Sequence, residues 1–269
     1  MEDNLLVSTI EFPSPEALFH VSSPCLIAGP CAVESLEQAE TIAQALVQFG
    51  VKFMRGGAFK PRTSPYSFQG LGLEGLRILD YIRQKYGLLV VTEILDTRDI
   101  DLGIRYADMI QIGSRNMTNT ALLKEVGRTS HPVILKRGMM STLSEFLLAA
   151  EYLVQAGCRK LFLCERGIRT FEDSVRNMLD IGSVAIIKRE TSLPVIVDLS
   201  HSLGRKDILV PVAKAILALG ADGLMIEAHC DPAAALSDSA QQLSLPELEQ
   251  FVDAYNEWLG INERRDTIF

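Results

Sequence analysis

Residues 194–227 read PVIVDLSHSLGRKDILVPVAKAILALGADGLMIE and contain one complete copy of the pattern that decides the fold. The aliphatic runs 194–198 and 222–227 are typical of buried strands, and Leu209 to Leu219 between them has the periodicity of a helix. Near-continuous apolar strands that alternate with helices form parallel sheets covered on both faces. The stretch therefore predicts a strand, a crossover helix and a second, parallel strand.

The same unit recurs along the rest of the chain. Strand-like runs occupy residues 24–29, 51–55, 88–93, 108–112, 132–136, 160–164, 194–198 and 222–227. Helix-length segments such as 36–49, 72–85 and 143–155 lie between them. Eight units in about 250 residues predict an α/β fold, a (β/α)8 TIM barrel, rather than an open doubly wound sheet. We expect a single domain with a catalytic barrel over residues 21–269 and a short N-terminal extension, residues 1–20, that forms a strand or a cap beneath it.

The composition excludes several classes of protein. Hydrophobic residues make up 48% and charged residues 22% of the chain, which is typical of a globular protein. No apolar stretch approaches the ~20 residues of a membrane span, and a net charge of −8 argues against a nucleic-acid partner. The acidic start Met1-Glu2-Asp3-Asn4 is unlike a signal peptide, and five cysteines without a C-x-x-C spacing favour a reducing compartment. We therefore expect a cytoplasmic protein without nucleic-acid or membrane partners.

Cationic side chains collect at the predicted strand ends. In a parallel barrel the loops that follow the strands meet on one face, where the chemistry takes place. Clustered like charges repel one another unless an anion neutralises them, and the planar fork of arginine suits phosphate and carboxylate. The set predicts ligands with several anionic groups, and solvated charges or surface ion pairs are the alternative. Its members are Arg55, Lys60, Arg62, Arg115, Lys136 and Arg166.

A second group offers one thiol, one imidazole and two carboxylates. Its members are Cys31, His201, Glu227 and Asp238, which follow the first, seventh and eighth strands. Those strands become neighbours when the sheet closes, and the mixed donors suit Mn²⁺, Fe²⁺, Co²⁺ or Zn²⁺. Their spacing matches no short metal-binding motif, so a buried cysteine and a hydrogen-bonded loop histidine are the alternative.

Six motifs in order resemble the class I 3-deoxy-7-phosphoheptulonate (DAHP) synthases of the β-type subgroup, over about residues 20–258. The motifs are AGPCAVES at 28–35, KPRTSP at 60–65, IGSRNM at 112–117, LKRGMM at 135–140, ERGIRT at 165–170 and DLSHS at 198–202. The family joins phosphoenolpyruvate to erythrose 4-phosphate in the first step of the shikimate pathway of aromatic amino acid biosynthesis. Relatives often carry a ferredoxin-like or chorismate-mutase-like N-terminal domain. The sequence contains neither, so we expect no tight binding of phenylalanine, tyrosine or prephenate; a separate mutase partner is left open.

The resemblance implies a role for each candidate residue. Cys31, His201, Glu227 and Asp238 would hold a divalent metal, with Mn²⁺ expected and Fe²⁺, Co²⁺ or Zn²⁺ as alternatives. Phosphoenolpyruvate would lie on Arg55, Lys60, Arg115, Lys136 and Arg166, and the aldose phosphate on Arg62, Thr63 and Ser64. The predicted catalytic residues are Lys60, Cys31, His201 and Glu93. Lys60 or a water at the metal would protonate the aldehyde oxygen, and Glu93 would orient the attacking water or only pair with Lys60 or Arg55. A homotetramer or homodimer is expected.

Three alternatives to this function have different requirements. The related octulosonate 8-phosphate synthases use arabinose 5-phosphate, and typically have an Ala-Asn-Arg-Ser-like segment where this chain has Lys60-Pro61-Arg62-Thr63. Those that work without metal have Asn at the position of Cys31. A Schiff-base aldolase would use Lys136 as its nucleophile, activated by the adjacent charge of Arg137. A non-enzymatic sugar-phosphate-binding barrel would need the cations but not the four candidate metal ligands.

Overall fold

Eight parallel strands close into a barrel in the computed structural model, which describes residues 5–266, with side chains up to residue 260. The strands are β1 (Cys25–Gly29), β2 (Phe53–Arg55), β3 (Leu89–Ile94), β4 (Met109–Ile112), β5 (Val133–Lys136), β6 (Leu161–Glu165), β7 (Val195–Asp198) and β8 (Gly223–Glu227). They follow one another in chain order, and β1 pairs with β8 from Cys25 opposite Gly223 to Gly29 opposite Glu227. The predicted (β/α)8 barrel is confirmed.

Helices flank and connect the strands, and most of them cover the outside of the barrel. They are α1 (Pro15–Phe19), α2 (Leu36–Gln48), α3 (Leu73–Tyr86), α4 (Ile100–Tyr106), α5 (Thr120–Gly127), α6 (Leu143–Gln155), α7 (Ile181–Glu190), α8 (Leu199–Leu203), α9 (Leu209–Ala218) and α10 (Leu245–Asp266). Short 3₁₀ turns lie at Leu6–Ser8, Thr97–Asp99, Ser114–Asn116 and Pro232–Ala234. The sequence predicts a loop directly after β7, but the structure has the short helix α8 there, because the carboxylate of Asp198 caps its first turn by accepting from the backbone N–H of His201.

The barrel interior is filled by an apolar layer to which every strand contributes. Its members are Cys25, Ile27, Phe53, Val91, Met109, Ile134, Phe162, Cys164, Ile196 and Met225, all at most 4% exposed. Phe19 of α1 packs edge-on against Phe53, with ring centroids 5.2 Å apart. The layer forms an apolar floor under the strand ends.

The residues two positions beyond the top of this layer form what we call the strand-end ring. Because alternate side chains of a strand point to the same face, each of them follows an inward-facing apolar residue by two. The ring consists of Gly29, Arg55, Glu93, Gln111, Lys136, Arg166, Asp198 and Glu227. At Gly29 the backbone has φ +143°, and a Cβ atom there would lie 2.2 Å from the carbonyl oxygen of Arg55, so only glycine allows β1 and β2 to approach so closely.

The described part of the N-terminal extension contains the 3₁₀ turn Leu6–Ser8 and helix α1, so its alternating residues 6–10 do not form the strand that was one of the two expectations. Val7 is fully buried, and its N–H donates to the carboxylate of Glu151 in α6 at 3.2 Å. Residues 1–4 and 267–269, which belong to the predicted extension and barrel, lie outside the described residues. Among residues 5–266, no helix combines the length and the apolar character needed to cross a membrane.

Candidate active site and metal centre

A cavity of about 320 Å³ opens above the strand-end ring. Its walls come from the loops that follow β2, β4, β5 and β6 and from α8, so residues distant in sequence meet at one mouth. All eight predicted substrate-binding residues line it, namely Arg55, Lys60, Arg62, Thr63, Ser64, Arg115, Lys136 and Arg166. Glu93, His201 and Asp238 line it as well. Four strand exits therefore supply cations to one space in an otherwise acidic chain.

The four candidate metal ligands meet at one side of this cavity. One donor atom from each of Cys31, His201, Glu227 and Asp238 lies within 4.8 Å of the other three. The thiol of Cys31 is 3.4 Å from Oδ2 of Asp238. Nε2 of His201 is 3.5 Å from Oε1 of Glu227 and 3.6 Å from Oδ2 of Asp238. Cys31 and Glu227 are fully buried, whereas Asp238 and His201 face the cavity.

Asp198 fixes the orientation of the His201 ring. Its Oδ2 atom lies 2.8 Å from Nδ1 of His201, and its Oδ1 atom accepts from the His201 backbone N–H at 2.9 Å. Because a carboxylate only accepts, the Nδ1 atom carries the proton and Nε2 presents its lone pair to the other three donors. Burial would raise the pKa of Asp198, but its contacts with His201 and Lys136 lower it well below its ordinary value.

Two carboxylates and two cations surround the Cys31 thiol and shift its pKa in opposite directions. Burial raises the pKa of Cys31 to about 12, and the nearby carboxylate of Glu227 adds to the increase. Lys60 opposes it, because its ammonium lies 3.1 Å from the sulfur and 2.9 Å from the Cys31 carbonyl oxygen. Burial alone would raise the pKa of Glu227, but the adjacent His201 ring and the charge of Arg55 lower it to about 2. Cys31 and Glu227 thus each lie directly beside a buried cation, Lys60 and Arg55 respectively.

This donor set fits a divalent metal. One sulfur, one imidazole nitrogen and two carboxylates suit a borderline cation, and a histidine whose second nitrogen is held by a carboxylate is the usual arrangement around protein metals. The residues that would hold the metal are therefore Cys31, His201, Glu227 and Asp238.

Some of the predicted cations form ion pairs with carboxylates of the chain, and others do not. Arg55 pairs with Oε1 of Glu227 at 2.7 Å, and Lys136 pairs with Asp198. Arg166 has no carboxylate partner among the described residues; its Nη1 atom donates to the Gly167 carbonyl at 3.1 Å, and burial lowers its pKa.

Two other arginines that line the cavity also retain free donors among residues 5–260. Arg62 donates Nε–H to the Phe68 carbonyl at 3.0 Å and leaves a buried Nη2 atom without a partner in the described part of the chain. Arg115 is exposed at the mouth. A buried guanidinium nitrogen without an acceptor is costly unless a ligand supplies one, so these donors favour anion binding.

Glu93 contacts an amide rather than a lysine or arginine. Its Oε2 atom accepts from Gln111 Nε2 at 3.2 Å, and within residues 5–260 it forms no ion pair with Lys60 or Arg55. Burial alone would lower the pKa of Lys60, but Cys31 and Glu93 raise it above its ordinary value. The ion-pair role considered for Glu93 is therefore absent from this structure, and its carboxylate faces the cavity.

Arg137 points away from Lys136, to the outside of the barrel. Its Nη1 atom lies 2.9 Å from both Glu165 Oε2 and Asp180 Oδ2, and its Nε–H donates to the Ser141 carbonyl at 3.0 Å. The cationic neighbour on which the Schiff-base alternative depends is therefore turned away from Lys136, whose ammonium pairs with Asp198.

Sequence reasoning missed several polar residues that support the site. Asp198 lies in the quoted motif without an assigned role, although its place at a strand end three residues before His201 was a usable signal. Gln111, Arg176 and Gln241 also contact candidate site residues, and nothing in their local sequence distinguishes them.

A (β/α)8 barrel whose strand ends carry a potential metal centre beside a cationic cavity defines an enzyme that acts on small anionic molecules. Residues 22–260 match the model of the DAHP synthetase I family. The chain belongs to this family, and the predicted family and enzyme class are confirmed.

Individual relatives agree with this assignment. A phospho-2-dehydro-3-deoxyheptonate aldolase of Thermotoga maritima is 52% identical over 227 residues, which are 84% of this chain and 67% of that protein. The crystal structure of a DAHP synthase from the same organism has a TM-score of 0.84 at 50% identity, over 87% of this chain and 68% of the other. A truncated form gives 0.80 at 45% identity, over 87% and 85% of the two chains. A 2-dehydro-3-deoxyphosphooctonate aldolase of Syntrophotalea carbinolica is more distant, at 30% identity over 93% of this chain and 94% of that protein.

Proposed function

We propose that the chain condenses phosphoenolpyruvate with erythrose 4-phosphate and water to give 3-deoxy-D-arabino-heptulosonate 7-phosphate and inorganic phosphate, the first step of the shikimate pathway. The observation that carries the proposal is the placement of the four candidate metal ligands beside a cavity lined by the six predicted cations and by Arg176. Two phosphates and one carboxylate on the substrates account for the excess of positive charge.

The residues divide between the two substrates by position. Arg115, Lys136 and Arg166 approach from β4, β5 and β6, and we assign phosphoenolpyruvate to them together with Arg55 and Lys60. Arg62, Thr63 and Ser64 lie on the loop after β2, and we assign the aldose phosphate to them. The aldehyde end of the sugar would then extend towards the metal centre, next to Lys60.

The chain's own side chains would hold the reactants in register and move protons. Carbon 3 of phosphoenolpyruvate attacks the aldehyde carbon, water adds at carbon 2, and the resulting hemiketal phosphate expels inorganic phosphate. When bound, a divalent metal supplies Lewis acidity towards the aldehyde oxygen. We favour Lys60 as the group that donates a proton to the aldehyde oxygen, because its ammonium is buried directly beside the candidate metal centre. Glu93 orients the attacking water, and Arg166 stabilises charge on the departing phosphate.

The finer assignments are part of the same proposal. We assign Mn²⁺ as the metal because the two carboxylates suit it, and the thiolate and imidazole would also allow Fe²⁺, Co²⁺ or Zn²⁺ to replace it. We further propose a homotetramer or homodimer, to be measured by sedimentation, and a cytoplasmic location. Lys60-Pro61-Arg62-Thr63 favours the four-carbon aldose over arabinose 5-phosphate.

Phosphate release tests the reaction and the metal together. The purified chain is assayed with phosphoenolpyruvate and either erythrose 4-phosphate or arabinose 5-phosphate, before exhaustive chelation, after it, and after Mn²⁺ is restored. We expect release with erythrose 4-phosphate, loss on chelation and recovery with Mn²⁺. A preference for arabinose 5-phosphate would establish the octulosonate alternative, and full activity after chelation would disprove the metal centre. Borohydride trapping of a Lys136 adduct would establish the Schiff-base route.

A further inference from the structure

The segment Arg176-Asn177, between β6 and α7, is attached directly to the helix that carries His201. The Arg176 N–H donates to the Leu203 carbonyl at 2.9 Å, and the Asn177 N–H donates to the Ser202 carbonyl at 2.7 Å. The side-chain amide of Asn177 also donates to the His201 carbonyl at 2.7 Å. The segment therefore has a fixed place beside α8.

The residue that follows α8 allows this close approach. Gly204 has φ +65°, and a Cβ atom there would lie 2.6 Å from Cβ of Arg176. A glycine at that position permits both the left-handed turn and the contact. The position of Arg176 is thus set by packing on both its backbone and its side chain.

The guanidinium of Arg176 contacts the outer side of one candidate metal ligand, Asp238, and the side chain of Gln241. Its Nη1 atom lies 3.4 Å from Oδ1 of Asp238, the carboxylate oxygen that faces away from Cys31 and His201. The same Nη1 atom donates to the side-chain oxygen of Gln241.

Gln241 extends this contact to the second carboxylate. Its amide nitrogen donates to Oε2 of Glu227, the oxygen opposite the one that faces His201. Both Asp238 and Glu227 therefore have one oxygen at the metal centre and the other held, directly or through one amide, by Arg176.

Asp238 needs such support more than the other ligands. It lies on the loop before α10 with φ +49°, a left-handed conformation that few residues other than glycine adopt. No strand fixes its backbone, whereas Glu227 ends β8 and Cys31 follows β1 closely. Among the side chains that the structure describes, Arg176 is the residue outside the four candidate ligands that contacts the Asp238 carboxylate.

We infer that Arg176 is a positioning residue of the metal centre, which orients the carboxylates of Asp238 and Glu227 by contacting one directly and the other through Gln241. This inference rests on the metal centre of the proposed function. Partners that hold metal ligands from outside typically contribute about 10–100-fold to metal affinity when mutated. Arg176 acts on the metal through these two side chains and is not assigned to a substrate.

Metal binding to the metal-free chain tests this role without any assay of activity. Mn²⁺ affinity is measured by calorimetry. In a separate experiment Co²⁺ is added, and the charge-transfer absorption band between the Cys31 thiolate and Co²⁺ is recorded. The variants are Arg176→Gln, which removes the charge, and Arg176→Lys, which keeps the charge but loses the planar fork. Arg205→Gln is the matched control, because Arg205 is an exposed arginine near the same helix whose ion pair is with Asp207.

We expect Arg176→Gln to raise the Mn²⁺ dissociation constant about 10–100-fold and to alter the Co²⁺ spectrum, while Arg205→Gln leaves both unchanged. Arg176→Lys should recover only part of the affinity. In a cycle with Gln241→Met the effects should be less than additive, because both residues act on Glu227 through one contact. Unchanged affinity in Arg176→Gln, or full recovery in Arg176→Lys, would overturn the role of Arg176. A wild-type chain that binds no Mn²⁺ would instead overturn the metal centre itself.

Discussion

Oδ2 of Asp198 lies 2.8 Å from Nδ1 of His201, and the same oxygen pairs with the ammonium of Lys136. One buried carboxylate therefore touches a candidate metal ligand on one side and a cation assigned to phosphoenolpyruvate on the other. The two halves of the proposed site share this group.

Asp198→Asn should weaken both metal binding and phosphoenolpyruvate binding. The amide keeps the size of the side chain but loses the charge that stabilises Lys136 and one of the two oxygens that accept from His201. We expect the Mn²⁺ dissociation constant to rise about 10–100-fold, together with the Michaelis constant for phosphoenolpyruvate. Calorimetry and steady-state kinetics measure the two effects. Asp222→Asn is the control, because Asp222 pairs with Lys188 at the opposite end of the barrel; the same losses in that variant would show a general effect on folding.

Arg166→Gln and Arg62→Gln form a matched pair that tests the division between the substrates. Charge-assisted hydrogen bonds contribute about 1.5–3 kcal/mol, so each variant should raise one Michaelis constant by about 10–150-fold. We expect Arg166→Gln to affect phosphoenolpyruvate and Arg62→Gln to affect erythrose 4-phosphate. Steady-state kinetics with each substrate varied in turn measure this. The reverse pattern would exchange the two assignments.

Gly113→Ala should act through Glu93. A Cβ atom at Gly113 would lie 1.9 Å from Oε1 of Glu93, so the carboxylate must move out of its position in the cavity. If Glu93 orients the attacking water, the turnover number should fall about 100-fold, as in Glu93→Gln, while the thermal unfolding midpoint changes little. Gly182→Ala is the control, because its Cβ atom would meet nothing closer than 3.4 Å. Turnover close to wild type in Gly113→Ala would exclude a catalytic role for Glu93.

Asp180→Asn should make the free energy of unfolding less dependent on pH in the acid range. Burial alone would raise the pKa of Asp180, but hydrogen bonds from Ser183 and Arg137 lower it below its ordinary value. A lowered pKa in the folded state adds stability above the unfolded-state pKa of about 4, and this stability is lost as the pH falls below that value. The free energy of unfolding should therefore fall more steeply in the wild type than in Asp180→Asn between neutral pH and about pH 3.

Urea unfolding at several pH values measures this difference. Asparagine keeps the side-chain oxygen that caps α7 but loses the oxygen that accepts from Arg137 and Ser183, so the test compares the pH dependence of the free energy of unfolding and not its absolute value. Asp173→Asn is the control, because Asp173 is exposed and forms no salt bridge in the part of the chain with described side chains. Parallel curves for the wild type and Asp180→Asn would contradict the assignment of the lowered pKa to Asp180.

Much of the fold and the position of the site follow from periodicity. Ile134, Cys164 and Ile196 face the barrel interior, so Lys136, Arg166 and Asp198, two positions further on, must face the same way. The alternation also separates Lys136 from Arg137, which are adjacent in sequence but face opposite sides of the sheet. Residues in the strands were therefore predictable from a repeat of two.

The supporting residues outside the strands were not predictable in this way. Arg176 and Gln241 lie in segments without regular periodicity, and their partners are 62 and 14 residues away. Asp238 depends on a left-handed backbone conformation that its sequence does not signal. Such contacts are set by how loops pack against one another, which a single sequence does not encode in any local pattern.

The stacking of the strand-end ring on an apolar layer ties the reactive groups to strand register. Deleting one residue inside β5 would turn Lys136 towards the helices and bring Arg137, with its outward contacts broken, into the barrel mouth. Such a deletion leaves the composition and hydrophobicity of the chain almost unchanged, yet it replaces the side chain that β5 presents to the cavity. The barrel thus tolerates variation in the lengths of its loops far better than in the lengths of its strands.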